Sequence, residues 1–316
     1  MIANCSLLTC GVDDERSFER TDYEAAQARW CPGCGDHSVL TSMQKLLVSE
    51  QLKPERTVFV SGIGCSSRFP HYMKTYGFHG LHGRALPVAT GLKLHRPDLD
   101  VFVVMGDGDC CSIGAAHWIH AIRYNLKMVV LLLDNNIYAL TKKQTSPTTR
   151  QGLTSNTQPH GSYLPALNPL TVTLGVTNAS FVAQTAEWSP PHLEATLRAA
   201  FKHPGLAFVR VLQRCPVYMP EQFTDAVTDR TLVELLVHKD GVEVPQLAPV
   251  YKAQRAHDPS DLHAARRLAE EEHPMRLGVF FRDPSKPRYE ETRHRPMHTA
   301  QEKIALLDKE LDRYAV

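Results

Sequence analysis

A chain of 316 residues, 43% hydrophobic and 22% charged, can bury one large core or two ordinary ones. Its 35 basic and 34 acidic residues leave a formal charge of +1, which excludes the strongly basic footprint of a nucleic-acid binder. No apolar run approaches the roughly 18 residues of a membrane span, and the opening "MIANCSLLTC" lacks the basic start and long apolar core of an export signal. The eight cysteines are therefore expected in a reducing cytoplasm, free, catalytic or metal-bound.

In chain order, residues 1–24 are polar and aperiodic and read as an N-terminal arm. From about residue 25 to 220, helix-like segments alternate with short apolar runs. The runs 57–62, 99–105, 127–134 and 206–213 are nearly continuous in apolar residues, as parallel strands covered on both faces tend to be. Between and before them lie helices expected over Gly35–Val48, Arg84–Leu94, Ser112–Asn125 and Pro190–Lys202, the last with Ser189 as N-cap. This alternation predicts an α/β fold with a doubly wound, mostly parallel sheet. Residues 221–316 are richer in proline and charge and read as a C-terminal extension. They contain a helix within "HDPSDLHAARRLAEEEHP" and a terminal amphipathic helix over 299–316, with Ile304, Leu307, Leu311 and Tyr314 on one face.

The most informative segment is "VFVVMGDGDCCSIGAAHWIH". A strand ends at Met105 and runs into Gly106-Asp107-Gly108-Asp109 before a helix, where glycine lets backbone N–H groups approach an anion. An aspartate there repels phosphate unless a cation lies between them, so Asp107 reads as ligand to a hard divalent ion bridging to a diphosphate. The next strand ends 28 residues later in Asp134-Asn135-Asn136, on the same edge of the sheet, where Asn135 can complete the coordination.

Two cysteines, Cys31 and Cys34, share the Pro-Gly turn of "WCPGCG". Cys65, in "GIGCSSRFPHY", and Cys215, in "LQRCPVY", follow core strands on the ligand-binding edge, so four thiolates can converge. Four thiolates suit a tetrahedral zinc or a [4Fe–4S] cluster, and spacing does not separate the two. A redox dithiol is the third reading, weakened because no strand precedes Trp30. Cys5 and Cys10 carry no assignment. Cys110 and Cys111 read as small buried side chains.

Gly-Asp-Gly followed by Asn at this distance resembles the thiamine diphosphate motif of thiamine-dependent enzymes. Further, "WCPGCG", "GIGCSSRFPHY", "LHGRALPVATGLKL", "GDGD", "DNNIYALT", "SPTT" and a strand-terminal "CP" occur in the order seen in β subunits of 2-oxoacid:ferredoxin oxidoreductases. The resemblance is dense over residues 25–220 and weaker beyond. It implies Mg²⁺ held by Asp107, Asn135 and the backbone carbonyl of Ile137, with Gly106, Gly108, Asp109 and Thr141 lining the pocket, and one [4Fe–4S] cluster on Cys31, Cys34, Cys65 and Cys215. The implied reaction is oxidative decarboxylation of a 2-oxoacid to acyl-CoA and CO2, or its reverse, with ferredoxin as electron partner and coenzyme A as co-substrate. The glutamate that activates the cofactor is expected from an α subunit, in a dimer of αβ pairs.

Three positions bear on the substrate. Arg68, beside Cys65, is expected to reach the pocket and hold a carboxylate in a bidentate fork. Leu140 stands where pyruvate-specific relatives carry a polar asparagine, and His82 resembles a family position beside the cofactor. Arg68 with Leu140 resembles the 2-oxoglutarate branch, with a broad-range or pyruvate-type oxidoreductase as the alternative. Lys142 and Lys143 replace the Gly-Gly or Lys-Gly pair more usual before Gln144. A self-contained thiamine decarboxylase lacks its second cofactor domain here, and a zinc-stabilised interaction module leaves Gly-Asp-Gly and Asn135 without a purpose.

Overall fold

The computed structural model describes residues 16–271, 273–292 and 299–314. Cys5, Cys10 and the first 15 residues of the expected arm lie outside them. Among the described residues the strands are β1 (Thr57–Ser61), β2 (Tyr76–His79), β3 (Asp100–Gly106), β4 (Met128–Asp134), β5 (Phe181–Ala186), β6 (Leu206–Leu212), β7 (Val233–Val237), β8 (Ala253–Ala256) and β9 (Met275–Arg282). They form one sheet in the order β2-β1-β3-β4-β6-β5-β9-β7-β8. Every pairing in it is parallel except that of β5 with β9.

The helices are α1 (Asp36–Ser49), α2 (Ala85–His95), α3 (Ala115–Tyr124), α4 (Pro169–Gly175), α5 (Pro190–Lys202), α6 (Thr224–Thr228), α7 (Leu262–Glu270), α8 (Tyr289–Thr292) and α9 (Ala300–Asp312). Side chains alternate across the sheet, so each strand feeds two cores. Val58, Val60, Val101, Val103 and Met105 pack with Trp118 and Ile122 of α3, Ala85 and Leu86 of α2 and Leu268 of α7. Phe59, Phe102, Val104 and Leu131 face the other way, onto Met43 and Leu47 of α1 and Leu193 and Leu197 of α5. Helices thus cover both faces, and the expected doubly wound sheet is present. Among the described residues no helix is long and apolar enough to cross a membrane.

The four expected strands lie within one or two residues of their observed bounds; β2 and β5 were not anticipated. β2 is a fully exposed edge strand, and β5 carries polar Gln184 and Thr185 on buried positions. The expected helix over 112–125 begins only at Ala115, because Asp109–Ile113 forms a π-helical turn first. Ser189 stands at the N-cap of α5, but its hydroxyl makes no capping bond. Residues 221–316 add β7, β8 and β9 to the same sheet, and Phe280 and Phe281 of β9 join its main core. The terminal helix is held by a Thr299–Glu302 capping box, with Ile304, Leu307, Leu311 and Tyr314 all exposed.

Candidate active site

Register puts Gly106 of β3 beside Leu133 of β4, and Asp134 beside Leu212 of β6. The chain leaving all three strands therefore enters one edge of the sheet. There a cleft enclosing about 580 Å³ of empty space, its open mouth included, is lined by Gly106, Asp107, Gly108, Asp109, Asn135, Ile137, Leu140 and Thr141, with Cys65, His82, Tyr138 and Gln213. The residues expected to hold the cofactor and its ion lie on this lining, as do His82 and Leu140. Leu140 is half exposed at it.

Asp107 is buried, and its Oδ2 accepts from the hydroxyls of Ser146 (2.5 Å) and Thr148 (2.7 Å). Burial lifts its carboxyl well above the usual carboxylate range; the charge of Asp134 lifts it further, against the two hydroxyl donors. The Thr148 hydroxyl shares its one hydrogen with Asp134 Oδ1, 3.0 Å away, while Asp134 Oδ2 is held by Arg210. On the next strand tip, Asn135 Oδ1 accepts from Ile137 N (3.2 Å) and its Nδ2 donates to Gln213 Oε1 (3.0 Å). A carboxylate, an amide oxygen and a backbone carbonyl form a hard-oxygen set of the kind Mg²⁺ takes. Glycine is sterically required at position 108: a Cβ on Gly108 would sit 2.1 Å from the Tyr138 ring, whose hydroxyl donates to Gly108 O.

Asp109 does more than line the pocket. Its Oδ1 accepts from Ile63 N (3.2 Å), Gly83 N (2.7 Å) and His82 Nδ1 (2.5 Å), tying three loops together. A Cβ on Gly62 would meet this carboxylate at 2.1 Å, so only glycine admits it. Because Oδ1 already accepts two backbone N–H groups, His82 carries its hydrogen on Nδ1 and turns Nε2 away from Asp109.

The four cysteines are all free thiols. Trp30 Nε1 donates to Cys65 O (2.7 Å) and Gly35 N to Arg214 O (3.2 Å), which joins the three loops that carry them. Burial pushes the Cys34 thiol up, with Asp36, Cys65 and Cys215 adding to it. Burial likewise pushes Cys65 up to about 12, assisted by Asp36, Cys215 and Cys31. The thiols thus feel one another, although among the described residues no three His, Cys, Asp or Glu are drawn closely enough to hold an ion directly. Four thiols carried on loops tied to one another are the donor chemistry of an iron–sulfur centre, whose ligands stand further apart than those of a single ion.

Arg68 is not on the cleft lining. A 3₁₀ turn over Ser66–Tyr72 carries it to the thiol side, where its guanidinium lies 6.0 Å from the Tyr72 ring centroid and reaches Arg29 O at 3.4 Å. Ser146, Thr148, Tyr138 and Gln213 were missed as site residues. "SPTT" carried Ser146 and Thr148, and "DNNIYALT" carried Tyr138, as motifs without roles assigned to these residues.

Residues 62–211 match the family model of the thiamine pyrophosphate enzyme C-terminal TPP-binding domain, and residues 248–296 that of the C-terminal part of the pyruvate ferredoxin oxidoreductase β chain. The chain is 48% identical to the 2-oxoglutarate oxidoreductase subunit KorB of Mycobacterium tuberculosis over 62% of this chain and 52% of that one. It is 37% identical to the 2-oxoacid:ferredoxin oxidoreductase subunit beta of Sulfolobus sp, over 83% of this chain and 84% of the relative. Among solved structures, a 2-oxoglutarate:ferredoxin oxidoreductase from Magnetococcus marinus with 2-oxoglutarate, coenzyme A and succinyl-CoA bound superposes with a TM-score of 0.79. It is 33% identical, and the match covers 93% of this chain and 97% of that one. Fold, cofactor cleft and matched length agree: this chain belongs to the family of 2-oxoacid:ferredoxin oxidoreductase β subunits.

Proposed function

We propose that this chain, joined to an α subunit, drives the oxidative decarboxylation of 2-oxoglutarate to succinyl-CoA and CO2 with ferredoxin as electron acceptor, or the reverse reductive carboxylation, in the cytoplasm. The observation that carries the reading is the double position of Cys65. It stands on the cleft wall with Asp107 and Asn135 and also raises, and is raised by, the neighbouring thiols.

In this reading Asp107, Asn135 and the carbonyl of Ile137 hold Mg²⁺, and Gly106 and Gly108 admit the diphosphate. Cys31, Cys34, Cys65 and Cys215 hold one [4Fe–4S] cluster. When bound, thiamine diphosphate supplies the nucleophilic carbon and electron sink, and the cluster the one-electron relay. Asp109 anchors the loops that carry His82 and Ile63 to the cleft, and His82 Nε2 is the ring nitrogen left to hold or move a proton there. Leu140 and Ala139 keep water from one wall, while Thr141 at the mouth donates to Gln144 (2.6 Å) and steadies the loop. The activating glutamate comes from the α subunit, and coenzyme A is the thiol co-substrate.

The 2-oxoglutarate choice is supported by the Mycobacterium and Magnetococcus relatives, and a broader 2-oxoacid range by the Sulfolobus relative's name. The test is anaerobic co-purification with the α subunit, assay of iron, sulfide and thiamine, and turnover with a panel of 2-oxoacids. About four iron and four sulfide per chain, with thiamine and preference for 2-oxoglutarate, supports the reading. Zinc without sulfide overturns it.

A further inference from the structure

Between the strand-tip oxygens and the thiols stands one amide side chain, Gln213, immediately after β6. It is buried, and its hydrogen bonds run in both directions. Oε1 accepts from Asn135 Nδ2 at 3.0 Å; Nε2 donates to Cys34 Sγ at 3.3 Å and to Arg214 O at 2.9 Å. The orientation of the amide is dictated from one end. Ile137 N–H can only donate, so the Asn135 atom facing it is Oδ1, and Nδ2 is left to face Gln213. The Gln213 atom that meets Nδ2 must be its oxygen, which turns its NH2 group onto the Cys34 sulfur. One backbone N–H thereby fixes a chain of two amides that ends on a thiol.

We propose that Gln213 is a positioning residue serving both halves of the site. Its oxygen holds the Asn135 amide in the orientation that offers Oδ1 to the cation, and its N–H group donates to the Cys34 sulfur and raises the potential of the cluster ligated there. Hydrogen bonds to ligating sulfurs stabilise the more negative, reduced state, so losing one makes reduction harder. The proposal rests on the cluster and thiamine reading above and adds a residue to which the resemblance assigned no role.

Two substitutions in the anaerobically purified complex separate the two roles. Gln213→Leu removes both bonds: the cluster midpoint potential, from a dye-mediated redox titration, shifts negative, and the thiamine diphosphate–Mg²⁺ dissociation constant rises at least about tenfold, within the range for loss of an outer-shell partner. Gln213→Glu keeps an oxygen for Asn135 Nδ2 but places a carboxylate at the sulfur. It retains thiamine affinity within about threefold of wild type and still shifts the potential negative. A potential unchanged in either variant overturns the sulfur arm. Weak thiamine binding in the Glu variant, or wild-type affinity in the Leu variant, overturns the Asn135 arm. If Gln213→Leu does not assemble, the Glu variant reads both arms alone. Failure of the underlying reading is distinct, since wild-type complex without iron or thiamine offers no potential or affinity to compare.

Discussion

Replacing Arg210 by methionine isolates the charge that holds the floor of the site. Asp134, at the tip of β4, has a fully buried side chain, and Arg210 is 15% exposed. Arg210 donates to Asp134 Oδ2 from Nε at 2.8 Å and pairs through Nη2 at 2.6 Å, and its Nη1 also donates to Gln184. Removing one partner of a buried ion pair costs about 3–5 kcal/mol, because an uncompensated charge remains. Asp134 Oδ1 keeps Asn136 N, Asn136 Nδ2 and Thr148 Oγ1 as donors, which favours the lower end, about 3 kcal/mol. The methionine follows the arginine stem, so little cavity energy is added. The assay is urea unfolding of the assembled complex, followed by far-ultraviolet circular dichroism. Asp134→Asn on top of Arg210→Met removes the stranded charge while keeping an amide oxygen for Thr148, and it recovers about half the loss or more. A cost below about 1 kcal/mol for Arg210→Met, or losses that simply add in the double variant, refutes the buried-pair reasoning.

Further expectations follow from the loop and the core. Lys142 and Lys143 adopt left-handed backbone angles, with φ of 70° and 63°. A side chain there costs roughly 1 kcal/mol, partly offset in the unfolded chain, so Lys142→Gly and Lys143→Gly should each stabilise by about 0.5 kcal/mol in the same unfolding assay; destabilisation by either contradicts the strain. Burial lowers His192 and His203 to about 4. Both folded values lie below the unfolded one, so the stability they leave intact is complete above pH 6.5 and falls as pH drops towards 4. Each contributes a loss on the order of 3 kcal/mol. Urea midpoints across that window should be flatter in His192→Gln than in wild type, and an unaltered slope rules out the titration. Because Arg68 lies outside the cleft, Arg68→Ala should change the KM for 2-oxoglutarate by less than about twofold. A rise of tenfold, about 1.4 kcal/mol of lost binding, restores it as a carboxylate ligand.

The parts of the fold that could be read from sequence are those where one short run carries the whole signal. β3 and β4 are continuous apolar strands that end in Gly-Asp-Gly and Asn-Asn, so the sheet and the placing of Asp107 and Asn135 on one edge of it could be read together. β5 was hidden because its polar residues are satisfied from outside the segment: Gln184 donates to Arg276 O and accepts from Arg210, and Thr185 meets His192. β2 lies at the sheet edge with all four residues exposed and is too short to show the apolar run that marks a covered strand. Arg68 stands beside Tyr72 and not on the cleft lining for a local reason, since the 3₁₀ turn that opens at Cys65 rotates it there. The roles of Asp109 and Gln213 depend on partners 26 to 179 positions away in the chain, and no spacing rule reaches that far.

In the proposed function the thiamine cleft and the four thiols form one electron-transfer unit joined at Cys65. Its most direct test is electron paramagnetic resonance of the oxidised αβ complex after anaerobic addition of 2-oxoglutarate and coenzyme A. Wild type should give the signal of a reduced [4Fe–4S] cluster, and Cys65→Ser should lose it with thiamine still bound. CO2 release from wild type without any cluster signal contradicts it.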